Sequence, residues 1–356
     1  VPSRLPPNLL DRSAPESARL LALTYLEQID QARGRLGDSL DREALHDFRV
    51  GLRRLRSAIR SYRAELNDSI TGKMRRRLRD LARATNDGRD VEVQLAWLEQ
   101  QAGRLGPDDV RGCFWLIGRL EDRKQRTHDR ATADVARRYE KAAAKLRRSL
   151  SVLRIELQTG GGQRAASFRE VTAALVQQQV IELRDDLSRI GNGSDAGQVH
   201  RTRISLKRLR YLLEPVARRN RRAGALVRRF KEGQDLLGQH HDMHVLSTAV
   251  ESLHGGRSPS SFPGLDPGLA AVKRLADETA AAAFEHFQAL WGAEGGSRIL
   301  SRAEALGREL EQPVNDHESR VTGHEFIVAD LQSPVPRDAS ELKEELPAGD
   351  SPVATH

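Results

Sequence analysis

Leu45-His46-Asp47-Phe48-Arg49-Val50-Gly51-Leu52-Arg53-Arg54-Leu55-Arg56 returns 154 residues later as Val199-His200-Arg201-Thr202-Arg203-Ile204-Ser205-Leu206-Lys207-Arg208-Leu209-Arg210. Both copies read H-x-x-R-[VI]-x-L-[RK]-R-L-R. On a helix turning about 100° per residue, His46, Arg49, Arg53, Arg56 and Arg60 fall within an arc of roughly 80°. Phe48, Leu52, Leu55 and Ile59 fill the neighbouring arc, so one face suits a core while its flank carries cations. His200, Arg203, Lys207 and Arg210 take the same places in the second copy, and Arg54 and Arg208 stand beside them. Like charges three and four residues apart repel by a few tenths of a kcal/mol each. A chain that carries this cost twice is expected to place a polyanion there.

Working outward, more elements repeat in the same order. Arg76, Arg79 and Arg83 form a second basic helix face after the first copy, and Arg228 and Lys231 stand at the matching positions after the second. Asn86 to Asp90 and Gly238 to Asp242 then follow at an offset of 152 residues, each reading as a break in the helix. A third cationic stripe, with Arg126, Arg130, Arg137 and Lys141, runs along a long helical stretch from about residue 108 to 157. Several elements in one order at nearly one offset argue for internal duplication. No segment has the two-residue period of a strand, so the expected class is all-α. Short connections favour antiparallel neighbours, giving two antiparallel bundles of about four helices each.

The expected organisation is a loose arm over 1–15, with four prolines, a first bundle over 16–157 and a glycine-rich linker over 158–165. A second bundle over 166–311 and an acidic tail over 312–356 without a core pattern complete it. The chain has 356 residues, 38% hydrophobic and 30% charged, enough for a core beneath a heavily charged exterior. The tail carries nine acids against three bases, so the net charge of +8 becomes, by difference, +14 on residues 1–311. Such a surface attracts phosphate-rich polymers. Cys113 is the sole cysteine, which suits a reducing cytoplasm, and no uncharged run approaches a membrane span.

The paired H-x-x-R-[VI] segments resemble the conserved histidine α-helical domain, the CHAD family. Gly88-Arg89-Asp90-Val91 is similar to its RD-V signature, and Leu237-Gly238-Gln239-His240-His241-Asp242 to its LG-x-x-x-D signature. The resemblance covers roughly residues 15–300. It implies two bundles related by a pseudo-two-fold axis, with basic residues lining the surface and channel between them. It also implies binding of inorganic polyphosphate and, for some members, residence on polyphosphate granules. Carried over by position, the ligand-facing set is His46, Arg49, Arg53, Arg56, His200, Arg203, Lys207 and Arg210. Asp235 stands where Arg83 would recur, and His241 where Arg89 would. No E-x-E-x-K strand of an accompanying triphosphate-tunnel domain is found, so the expectation is a stand-alone, non-catalytic binding module without a cofactor.

Three other readings compete. The stripes could be solvated faces of an arginine-rich protein. The target could be RNA or DNA, although single-strand binders stack bases on aromatic side chains and aromatics are only 4% here. A polyphosphate-processing enzyme would need carboxylates gathered around Mg²⁺, and no such set assembles from the sequence. His46 and His200 either touch phosphate or lock their helix entries. His240, His241 and His244 invite a metal reading, with His240 and His244 one turn apart, yet no partner motif accompanies them, and no metal site is expected.

Overall fold

The computed structural model describes residues 5–38, 41, 43–152, 165–191, 195–255 and 264–312; at 86–89, 127–134, 136 and 254–255 it describes the backbone alone. The described residues are helices and connections, with no β-strand among them. The helices are α1 (Ala14–Arg35), α2 (Glu43–Ser61), α3 (Gly72–Ala102), α4 (Val110–Ser151), α5 (Phe168–Arg189), α6 (Ala196–Ala217), α7 (Arg221–Gly255), α8 (Asp266–Trp291) and α9 (Ala293–Glu311). The glycine-rich linker, apart from Ala165, and the acidic tail beyond Gln312 lie outside the described residues.

Local chemistry sets where the helices begin. Asp41 Oδ1 accepts from the backbone N–H groups of Glu43 and Ala44 at the entry to α2, and Asp195 Oδ1 accepts from Gln198 N–H at the entry to α6. Each aspartate stands five residues before its motif histidine, satisfying helix donors that would otherwise lack partners. Ser167 and Glu170 form a reciprocal capping box on α5. Thr71 caps α3.

Two expectations change. Asn86–Asp90 and Gly238–Asp242 are not breaks: α3 and α7 run through them without interruption. An interior glycine costs a helix about 1 kcal/mol. Burial of Val91, Leu95 and Leu98 on α3 and of Met243, Leu246 and Val250 on α7 outweighs that penalty. Residues 8–13 are also not loose. Leu9 is buried, Ser17 Oγ donates to its carbonyl at 2.6 Å, and Phe168 and Arg169 donate backbone N–H groups to Arg12 and Leu10 at 2.9 Å. The arm is thus stitched to the start of α5.

The described residues of Val1–Gln312 form one compact unit. α1 packs on α2 and α4, and α3 on α4; α5 packs on α6 and α9, and α7 on α6 and α8. Between the two sets, α1 meets α5, α2 meets α6, α3 meets α7 and α4 meets α8. The larger core runs through both sets, from Leu26, Phe48 and Leu55 to Val180, Leu209 and Phe230. The smaller one joins the end of α3 and start of α4 to the end of α7 and start of α8. At the α4–α8 crossing the backbones touch at two glycines. A Cβ on Gly268 would stand 2.1 Å from the Asp109 carbonyl oxygen, and one on Gly112 would stand 2.6 Å from that of Leu265. Only glycine allows that approach.

Candidate polyanion-binding cleft

Burying Phe48, Leu52, Leu55 and Ile59 turns the cationic flank of α2 toward α3 and α6. Burying Val199, Leu206, Leu209 and Leu213 presents α6 to α2 and α7 in the same way. The two motif helices are joined at one carboxylate. Arg54 Nε donates to Glu214 Oε2 at 2.8 Å, and Arg210 Nε stands 3.3 Å from Glu214 Oε1.

Beyond that joint the cations of both motif copies meet. Lys207 of α6 is pushed down to about 8 by burial and then by Arg53, Arg203, Arg56 and Arg210. Arg56 is pushed below its ordinary value by burial and by Arg60, Arg79 and Arg83, so the basic face of α3 joins the same cluster. Desolvation and neighbouring cations both disfavour the charged form, which is why these shifts run downward. Among the described residues, no carboxylate pairs with Arg53, Arg56, Arg60, Arg79, Arg83, Arg203 or Lys207. The Arg203 Nε is buried without an acceptor, and a Cβ added at Gly238 would lie 3.7 Å from it. The guanidinium thus lies against α7.

Where α6 meets α7, the ring of His200 stands 6.0 Å from that of His241. Partial desolvation, Arg203 and Lys207 hold the His200 imidazole below its usual value. His241 is lowered by desolvation, Arg203 and His200, against an opposing pull from Asp90 of α3. α2, α3, α6 and α7 therefore bring arginine, lysine and histidine side chains from both motif copies into one cluster, the candidate cleft, beside the Arg54–Glu214–Arg210 joint.

Not every expected residue belongs to it. Arg49 is only 7% exposed, and its Nη1 donates to Glu92 Oε2 at 2.8 Å, making it a strut between α2 and α3. Arg54 and Arg210 are the clamps just described, and Arg208 pairs with Glu182 of α5 at 3.1 Å. Arg126, Arg137 and Lys141 are exposed on the side of α4 opposite buried Val135, Tyr139 and Leu146, outside the cleft. The Arg130 side chain lies outside the described residues. Arg228 lines a separate cavity of about 780 Å³ between α7 and α9, and Lys231 pairs with Asp235 of its own helix at 3.6 Å. His46 and Arg76 are exposed near the starts of α2 and α3.

His241 was missing from the expected ligand set; its place in register with Arg89 was the available signal. His240, His241 and His244 do not share one face: His240 turns toward α8, whereas His241 faces His200 of α6. His240 Nδ1 is 3.0 Å from the Ala280 carbonyl oxygen and its ring packs on Phe284, turned into α8. Among the described residues no group of His, Cys, Asp and Glu is arranged to hold a metal ion.

This chain belongs to the CHAD domain family, whose model matches residues 21–251. The CHAD domain from the plant Ricinus communis superposes with a TM-score of 0.59 at 23% identity, over 86% of this chain and 97% of that one. PptA from Streptomyces chartreusis superposes with a TM-score of 0.58 at 15% identity, over 79% of this chain and all of the other (100%). At these identities the likeness is one of fold. No curated protein matches the chain. No described helix is long and apolar enough to cross a membrane.

Proposed function

We propose that this chain binds inorganic polyphosphate in the cleft between α2, α3, α6 and α7, and does so without turning it over. One observation carries the reading: Arg53, Arg56, Arg203 and Lys207, drawn from both copies of the repeated motif, crowd together with no carboxylate among the described residues to neutralise them. Desolvated like charges cost free energy that a linear polyanion offsets, and arginine forks donate in parallel to phosphate oxygens. The meeting of each helix with its counterpart, α1 with α5 through α4 with α8, supports the duplicated reading of the two sets. Residence on polyphosphate granules would follow from the same affinity.

Nucleic acid is the second reading. The ring–ring contacts of Phe48, Tyr62, Tyr139, Phe168, Phe230 and Trp291 lie in the core. Among the described large hydrophobics that are exposed, Phe114 alone is aromatic (59%), and it is on α4, away from the cleft. A cleft whose only aromatic rings are the imidazoles of His200 and His241, among the described residues, favours a ligand made of phosphates alone. The test is competition: long polyphosphate should displace labelled single-stranded RNA at equal phosphate concentration, and RNA displacing polyphosphate would reverse the assignment. Release of phosphate with added Mg²⁺ or Mn²⁺ would reinstate an enzyme.

A further inference from the structure

The cleft holds three groups that can be neutral near physiological pH, all placed among permanent cations. His200 on α6 and His241 on α7 face each other with ring centroids 6.0 Å apart. Arg203 and Lys207 bear on His200 from its own helix, while His241 also feels His244 on α7 and the carboxylate of Asp90 on α3. Lys207 lies between Arg53 and Arg56 of α2 and Arg203 and Arg210 of α6, half-buried. Asp90 of α3 opposes these cations at His241, and Asp242 stands next to His241 on α7.

We infer that the cleft takes up its polyanion together with protons, and that His200, His241 and Lys207 are the groups that receive them. This rests on the polyphosphate reading. In the empty cleft the arginines oppose a further positive charge. An arriving phosphate chain reverses the local field, so each group becomes charged when the ligand enters and donates to it as a cation. The histidines are below their ordinary value of 6.5 when the cleft is empty, and Lys207 stands at about 8. Bound phosphate raises all three. Binding therefore absorbs protons, and affinity strengthens as pH falls through each window. The Lys207 window lies at and above pH 8, and the histidine window lies around and below neutrality.

The cleft is thus a proton-linked site, holding a phosphate chain more tightly in acidic surroundings than in alkaline ones. An array built from arginine alone would show no such dependence, because arginine stays charged throughout. Internal phosphates of a long chain are strongly acidic, so the ligand's own ionisation adds little if the chain is long.

The experiment is calorimetric titration of the full chain with polyphosphate of about one hundred phosphates, in buffers of different ionisation enthalpy. At pH 8 the expected result is net proton uptake on binding, because Lys207, lowered toward that pH, is only partly charged before the polyanion arrives. Lys207→Arg should abolish that uptake, and the double variant His200→Gln with His241→Gln should flatten the affinity–pH slope between pH 5.5 and 7. A titration heat independent of buffer at both pH 6.5 and pH 8, with polyphosphate bound, overturns the proton linkage and leaves the polyphosphate reading standing. Absence of polyphosphate binding at every pH overturns both. Uptake that persists unchanged in Lys207→Arg and in the histidine double variant assigns the protons elsewhere and also overturns the inference.

Discussion

Arg54 on α2 and Glu214 on α6 are joined by a 2.8 Å hydrogen bond between residues 160 positions apart, and Arg210 reaches the same carboxylate. One acid thus fastens the two copies of the repeated motif and sets the distance between their cation rows. Burial opposes the Arg54 charge, but Glu214 together with Tyr25 and Tyr211 more than compensates, and the guanidinium ends above its ordinary value. Removing the acid leaves two partly buried guanidiniums without a counter-charge. Glu214→Gln should lower unfolding free energy by on the order of 2 kcal/mol, discounted from a fully buried pair because Arg54 keeps some solvent contact. Chemical denaturation measures this; an unchanged midpoint would show that the joint is unimportant.

Arg49 and Arg53 sit on one helix face, yet the structure gives them opposite consequences. Arg49 is buried against Glu92, so Arg49→Ala should cost about 2 kcal/mol of stability. Arg53 is crowded by Lys207 and has no carboxylate partner among the described residues. Arg53→Ala should leave stability unchanged or raise it by a few tenths of a kcal/mol, while weakening polyphosphate binding about tenfold. Paired melting and binding curves separate the two; equal loss of stability in both variants would contradict the assignment.

The lowered Lys207 has a consequence for the empty protein as well. Its folded value of about 8 lies below the ordinary 10.5, so between those values the unfolded chain binds more protons than the folded one. Stability from this group therefore rises with pH across that window and is lowest below pH 8. The difference in stability between the wild type and Lys207→Met should shrink toward pH 10 in a way that favours the wild type. A pH-independent difference would place Lys207 in ordinary surroundings.

The glycine pair at the α4–α8 crossing gives a structural control distant from the cleft. Gly268→Ala puts a methyl group into the Asp109 carbonyl, and the backbones must separate. Overpacking of this kind costs about 1–3 kcal/mol. Thermal unfolding should shift down, with polyphosphate affinity of the folded fraction retained. Wild-type stability would mean that the helices cross less closely than described.

The helical class was legible because Phe48, Leu52, Leu55 and Ile59 recur with helical period and are all buried. The rows of cations were legible for the same reason. Their partners were not. Glu92, Glu182 and Glu214 lie far along the chain from the arginines Arg49, Arg208 and Arg54, and periodicity says nothing of which acid tertiary packing brings near. The local hints were the i, i+4 spacings of Arg210 with Glu214 and of Lys231 with Asp235. The false breaks at Gly88 and Gly238 came from reading propensity where core burial decides. The α4 stripe of Arg126, Arg137 and Lys141 had the right period, but it points away from the core and from the cleft.

The most direct test is an equilibrium titration of the chain with long polyphosphate over a range of salt, for the wild type and for the double variants Arg53→Glu with Lys207→Glu and Arg137→Glu with Lys141→Glu. Two matching rows meeting in one cleft predict binding whose logarithm falls linearly with that of salt, by about 0.7 per phosphate contact for a single strand. The cleft variant should lose that binding, and the α4 variant should keep the wild-type slope. Equal weakening in both variants, or retention of binding by the cleft variant, would contradict the account.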